Sequence, residues 1–275
     1  MQQFRTLFHP TDLSAASEVA FLHALKLAVM NKSSLTLLHV AGKHEHVHSN
    51  HFPSVRATLE GWGEIPSHSD KAAVFALGVT IHKVVSKPED PVRACQRYLE
   101  SHSIDLVILA VHQHNSRMGW LYASIGQPIV RNTGETALML PHGVSGFVDR
   151  QAGSLSLRNI LIPISTQPNP QRVVDTVQAL LATLQLTEGR VILLYVGQAS
   201  DAPRVSLPAE SGWVWEQQVA SGDVVDTILQ VATDSSCDLV AMATEGRHGF
   251  FDALRGSTTE QVLRRLNCPL LAVPA

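Results

Sequence analysis

The sequence predicts an α/β protein made of two tandem, open, mostly parallel five-stranded sheets flanked by helices. Three observations carry this reading. Short apolar runs, such as residues 104–111 and 238–243, have the continuous hydrophobicity of strands buried on both faces. They alternate with longer amphipathic segments, the rhythm of β-α-β units. The order then starts again: one constant offset relates Asp105-Leu106-Val107 to Asp238-Leu239-Val240, Ser124 to Ser257, Arg131 to Arg264 and Pro141 to Pro274, which implies a duplication.

Taken in order, residues 4–8 form the first expected strand, closed by His9-Pro10-Thr11-Asp12. Ser14 suits the N-cap of a helix running through Met30, with Val19, Leu22, Leu25, Leu27 and Val29 among its apolar positions. A strand at 35–40 precedes a polar, irregular insert at 41–69 that contains a histidine-rich tract and GWGEIP. A short helix at 71–77, a strand at 79–85, a helix at 91–102, a strand at 104–111, a helix at 123–131 and a strand at 137–140 complete the first copy. The second has strands at 158–164, 191–196 and 214–219, helices at 170–184 and 223–233, and the stretch 238–274. The copies are assigned to residues 1–145 and 155–275, with the boundary in the Gly- and Ser-bearing segment 143–157.

Residues 238–274 carry the densest chemistry. A buried strand opens into Thr244-Glu245-Gly246-Arg247-His248-Gly249, and Gly256-Ser257-Thr258-Thr259-Glu260 puts hydroxyls and a first-turn acid ahead of the helical pattern Val262, Leu263, Leu266. Strand, glycine loop and helix start together cradle phosphate, because glycines admit close backbone approach and the helix start offers unpaired N–H groups and a favourable dipole. The spacing Gly-x2-Gly-x6-Gly-Ser is neither a Walker loop nor the dinucleotide fingerprint. A loop whose glycines serve only to turn the chain is the alternative.

The stretch resembles the signature of the universal stress protein family, whose ATP-binding members carry Gly-x2-Gly-x9-Gly-Ser/Thr between the fourth strand and the last helix. Gly246, Gly249, Gly256 and Ser257 match it in kind, with an interval three residues shorter between the second and third glycines. Both copies share the likeness. It implies a tandem protein of two adenine-nucleotide-binding, Rossmann-like domains packed as single-domain members pair in dimers. It also implies ATP or a related adenine nucleotide in the second copy, with contacts at Pro163, Ser165, Val196, Thr244, Gly246, Gly249, Gly256, Ser257 and Thr258, and Mg²⁺ bridging the phosphates.

The two copies differ in what they keep. Gln113, Ser116 and Ala123 replace the three glycines in the first copy, which is therefore not expected to hold a triphosphate in the family's manner. At the other end of the pocket, the Pro-x-Asp pattern stands as Pro10-Thr11-Asp12 in the first copy and as Pro163-Ile164-Ser165 in the second. Asp12 suits either the family's adenosine contact or a helix-start cap.

All 14 histidines except His248 lie at or before His142. His44, His46, His48 and His51 crowd the insert, either as a weak metal tract or as a solvated loop. His9, His39 and His112 are each expected at a strand's carboxyl end near Asp12. Together they would suit Zn²⁺ if those ends converge; satisfied histidines lining a degenerate pocket are the other reading.

A net charge of −3 gives no broad basic field, so nucleic acid is not an expected partner. Cys95, Cys237 and Cys268 lack paired spacing and read as reduced, buried thiols. The four tryptophans read as packing or interface residues. No basic-then-apolar leader opens the sequence and no run approaches about 18 apolar residues, so a soluble cytoplasmic protein without membrane association is expected. No nucleophile–base–acid set or metalloprotease, hydrolase or kinase motif stands out, which argues against an enzyme beyond weak ATP hydrolysis. The expectation is a stress-response regulatory protein that binds nucleotide in its second copy, with regulatory protein partners and either internal pairing alone or a further homodimer. A nucleotide-independent scaffold and a metal-binding or hydrolytic first copy are the alternatives.

Overall fold

A computed structural model describes residues 4–42, 48, 50–111, 135–208, 212–244 and 257–274. The first repeat runs through β1 (Thr6–Pro10), α1 (Ala15–Asn31), β2 (Ser34–Val40), α2 (Val55–Gly61), α3 (Lys71–Ala76), β3 (Thr80–Ser86), α4 (Pro91–Ser101), β4 (Leu106–Val111) and β5 (Thr136–Pro141). The second comprises β6 (Asn159–Pro163), α5 (Gln171–Thr183), β7 (Gly189–Val196), β8 (Trp213–Ala220), α6 (Val224–Asp234), β9 (Leu239–Thr244), α7 (Thr258–Leu263) and β10 (Leu270–Pro274). The expected helix at 123–131 lies outside the described residues.

Local signals explain most boundaries. Ser14 caps α1 by accepting from the Ser17 N–H, and Asp90 and Asp223 cap α4 and α6 in the same way. Lys32 ends α1 in the left-handed conformation, its N–H bonded back to the Ala28 and Val29 carbonyls. Strands β4, β5 and β10 are buried at every position because helices cover both faces at the middle of the sheet. The outermost strands β3 and β8 expose many of their side chains.

The two expected five-stranded sheets are joined into one ten-stranded sheet of order β3-β2-β1-β4-β5-β10-β9-β6-β7-β8. Every neighbouring pair is parallel except β5 and β10. At that seam Leu138 stands opposite Leu271, the residue that holds its own place in the second repeat. Met139 faces Leu270 and Ala137 faces Ala272, so the pairing is self-complementary, as in a two-fold dimer interface.

One face of the sheet carries α1, α2 and α5, with Phe21, Leu25, Leu59 and Val177 in its core. The other carries α4, α6 and α7, with Cys95, Ile228 and Val262. Each buried cluster contains residues from both repeats.

Two connecting segments are more structured than their composition suggests. The insert at 41–69, expected to be irregular, contains α2, and Phe52, Val55, Leu59, Trp62 and Ile65 are buried. The first four recur at helical spacing and lay an apolar face on the core beside α1. Trp62 Nε1 donates to the Arg150 carbonyl at 3.1 Å, and Lys26 bonds Glu64 at 2.7 Å with its ammonium 5.6 Å from the Trp62 ring centre. The boundary segment is likewise packed, with Phe147, Val148 and Leu157 buried.

Cys95 and Cys268 are buried free thiols and Cys237 is partly buried. Burial pushes Cys237 up to about 11 and Cys268 up to about 12, which keeps both protonated at neutral pH. Trp62 and Trp213 are core residues, in line with a packing role. Among the described residues no helix is long and apolar enough to cross a membrane.

Candidate functional site

In each repeat the strand order reverses between two adjacent strands, and beyond their carboxyl ends lies the position where a sheet of this kind forms its ligand cleft. In the first repeat these strands are β1 and β4, which pair only through Leu7–Leu106 and Phe8–Val107. In the second they are β6 and β9, which pair only through Ile160–Leu239 and Leu161–Val240. Because β5 and β10 run antiparallel, the two clefts lie at opposite edges of the continuous sheet.

The second cleft gathers several of the expected contacts. Pro163 closes β6, and Ser165 follows it, exposed, with its Oγ donating to the Gln167 carbonyl at 2.8 Å. The last pairing of β7 with β6 joins Leu194 to Pro163 and to the Ile164 N–H, so Val196 lies beyond the end of β6. Thr244 ends β9 and is 5% exposed. Its Oγ1 is buried without a hydrogen-bond partner among the described residues. Ser257 caps α7, its Oγ accepting from the Glu260 N–H at 3.3 Å, and Thr258 is the first helical residue. Gly246, Gly249 and Gly256 lie outside the described residues.

One neighbour of this cleft comes from the other repeat. The antiparallel seam sets the start of β5 beside the end of β10, and Pro274 there pairs with Thr244. Glu135, just before β5, therefore stands two strands from Thr244. Burial raises its carboxyl to about 7, with Asp105 adding to the rise and Arg172 at the start of α5 opposing it. Nothing in the local sequence marks Glu135, since its setting comes from a long-range strand pairing.

The first cleft is built differently. His9 is fully buried on β1, and its Nδ1 donates to the Ile108 carbonyl at 2.8 Å. Burial lowers its pKa to about 4, so the ring is neutral at physiological pH. With Nδ1 donating, Nε2 carries the lone pair; it is buried and has no hydrogen-bond partner among the described residues. His39 on β2 likewise donates from Nδ1, to the Thr11 carbonyl at 2.9 Å, and its ring meets Phe52 edge-on at 6.3 Å. Asp12 acts at the start of α1, where its Oδ1 accepts from the Ser14 N–H and the Ser17 hydroxyl. Among the described residues no three His, Cys, Asp or Glu side chains gather into a group that could hold a metal. His112, the fourth member of the expected set, lies outside the described residues, as do His44, His46 and the residues that replace the glycines.

Comparison with known proteins supplies the family. The chain matches the family model described as "Universal stress protein family" over residues 3–141 and 209–274. A universal stress protein from Archaeoglobus fulgidus DSM 4304 superposes with a TM-score of 0.63 at 16% identity, covering 99% of each chain. A functionally unknown protein from Pseudomonas aeruginosa PAO1 superposes with a TM-score of 0.58 at 13% identity, covering 99% of this chain and 93% of its own. A sequence search against curated proteins finds no match. The family match covers well over half of the chain and reaches into both repeats: the chain belongs to the universal stress protein family.

Proposed function

We propose that the second repeat binds ATP or a related adenine nucleotide and that the protein acts by presenting nucleotide-dependent surfaces to regulatory partners rather than by catalytic turnover. The observation that carries this is the buried Thr244 hydroxyl, held at the end of β9 beside the β6 switch without a hydrogen-bond partner among the described residues. A buried hydroxyl with no partner costs free energy, and a ligand phosphate or ribose oxygen in the cleft offsets that cost. Ser257 at the start of α7 and the glycines of 246–256 would give the phosphate end its donors, Ser165 and the main chain of Val196 would serve the adenosine end, and Mg²⁺ would enter with the nucleotide to neutralise phosphate charge. Slow ATP hydrolysis would be incidental.

Calorimetric titration of nucleotide-free protein with Mg-ATP tests the reading. Saturable binding of about one nucleotide per chain is expected, weakened about fivefold to tenfold by Thr244→Val and abolished by Gly249→Arg. Absence of binding by the unaltered protein overturns it in favour of a nucleotide-independent scaffold. The buried Nε2 of His9, whose Nδ1 is anchored on a carbonyl as in many metal-bound histidines, favours Zn²⁺ in the first repeat as a second reading, but not through the full expected set, because His9, Asp12 and His39 do not gather into a group that could hold a metal. Metal analysis of the same preparation decides it: stoichiometric zinc, lost in His9→Ile, is required.

A further inference from the structure

Away from both strand-end clefts, a cavity of about 600 Å³ lies between α2, α3 and the outer strand β3. Val74, Phe75 and Ile81 are among its apolar walls, and Arg56, Lys71 and Lys83 bring three cations to it. Phe75 is 67% exposed, unusual for a large aromatic on a helix that otherwise leans on the core. No carboxylate lines the cavity among the described residues. On the flanking helices, Asp70 caps α3 by accepting from the Ala72 and Ala73 N–H groups, and Glu60 forms an ion pair with Arg56 at 3.8 Å.

We propose that this cavity binds a small carboxylate with a hydrocarbon body, such as a medium-chain fatty acid, its head between Lys71 and Lys83 and its tail along Phe75, Val74 and Ile81. The volume falls within the range of small-ligand pockets, and the walls divide into a cationic rim and an apolar floor as an amphiphilic anion requires. Lys83 is tied in place, its Nζ donating to the Pro53 carbonyl at 3.3 Å and lying 5.8 Å from the Phe52 ring centre. Its pKa is lowered by burial and then by Lys71, so a negative charge between the two ammonium groups is favourable. The site is a bounded concavity rather than a convex or extended face, which favours a free carboxylate over a lipid bilayer or a peptide.

Titration of the full chain with decanoate, decanol and acetate, followed by amide chemical shifts, tests the proposal. Decanoate should bind saturably, with the largest shifts in α3 and β3, while decanol and acetate bind at least about tenfold more weakly because each lacks half of the recognised chemistry. Lys71→Gln, at an exposed position, should weaken decanoate about fivefold, and Lys83→Gln more. Thermal unfolding of both variants separates loss of binding from loss of fold. Equal binding of decanol, non-saturable uptake, shifts confined to another region, or an unchanged affinity in Lys71→Gln would each overturn it, as would association with anionic vesicles in the absence of decanoate binding.

Discussion

His23 ties the segment between the repeats to α1 with both ring nitrogens. Its Nδ1 donates to the Val19 carbonyl at 2.9 Å, and its Nε2 accepts from the Phe147 N–H at 3.0 Å. Phe147 packs edge-on against the ring, and Gly146 adopts φ +70 where a Cβ would come within 2.3 Å of His23 Nε2. Protonating Nε2 would break the bond to Phe147, and burial lowers the His23 pKa to about 4. An unfolded chain takes up this proton below about pH 6.5 and the folded chain only near pH 4. The stability is therefore present above about pH 6.5 and is lost as pH falls through that window, by roughly 3 kcal/mol for a fully buried ring. His9 shares the window. Urea unfolding at a series of pH values should show His23→Gln less stable at neutral pH yet losing about half as much on acidification; an unchanged acid dependence counts against this. Another residue-scale feature was legible from the repeat but not in its purpose. Asp105 accepts the Arg5 and Thr6 N–H groups that open β1, and Asp238 accepts those of Arg158 and Asn159 at β6. The retained aspartate in each Asp-Leu-Val thus caps the start of a neighbouring strand, whatever the fate of the ligand site.

At the scale of elements, caps and apolar runs foretold most described strands and helices within one or two residues. Two places were less legible. The histidines and polar residues of 41–69 masked the spacing of Phe52, Val55, Leu59 and Trp62, which needs only one face to be apolar to form α2. A helix packed in this way should behave as core. Leu59 is fully buried, so Leu59→Ala should cost about 2–4 kcal/mol, read as a lower urea midpoint at unchanged slope. A change under about 0.5 kcal/mol would mean that the insert lies loosely on the surface. The other place is the set of strand ends. The sequence placed Pro163, Ser165, Val196 and Thr244 at carboxyl ends of strands, and the structure puts them on β6, β7 and β9 or just beyond. Asp12 lies two residues ahead of the Ser14 cap of α1 and accepts from the Ser14 N–H and the Ser17 hydroxyl.

For the whole molecule, the continuous sheet and the shared clusters predict cooperative unfolding of both repeats. In denaturant, a Trp62→Phe/Trp120→Phe variant reports on the second repeat and a Trp213→Phe/Trp215→Phe variant on the first. Once each variant's own stability shift is measured by circular dichroism, its fluorescence midpoint should coincide with its secondary-structure midpoint in a single transition. Two separated transitions would show that the seam contributes little. The sequence by itself determined the α/β class, the duplication and the order of strands and helices, because hydrophobic period, caps and repeat offset are local or collinear signals. Only the tertiary structure decided that Leu138 meets Leu271 across an antiparallel seam, that Glu135 of one repeat borders the cleft of the other, and that His23 and Trp62 lock the connecting segments to the core. Those relations join residues far apart in the chain, and it is packing between faces, rather than any periodicity within one segment, that selects them.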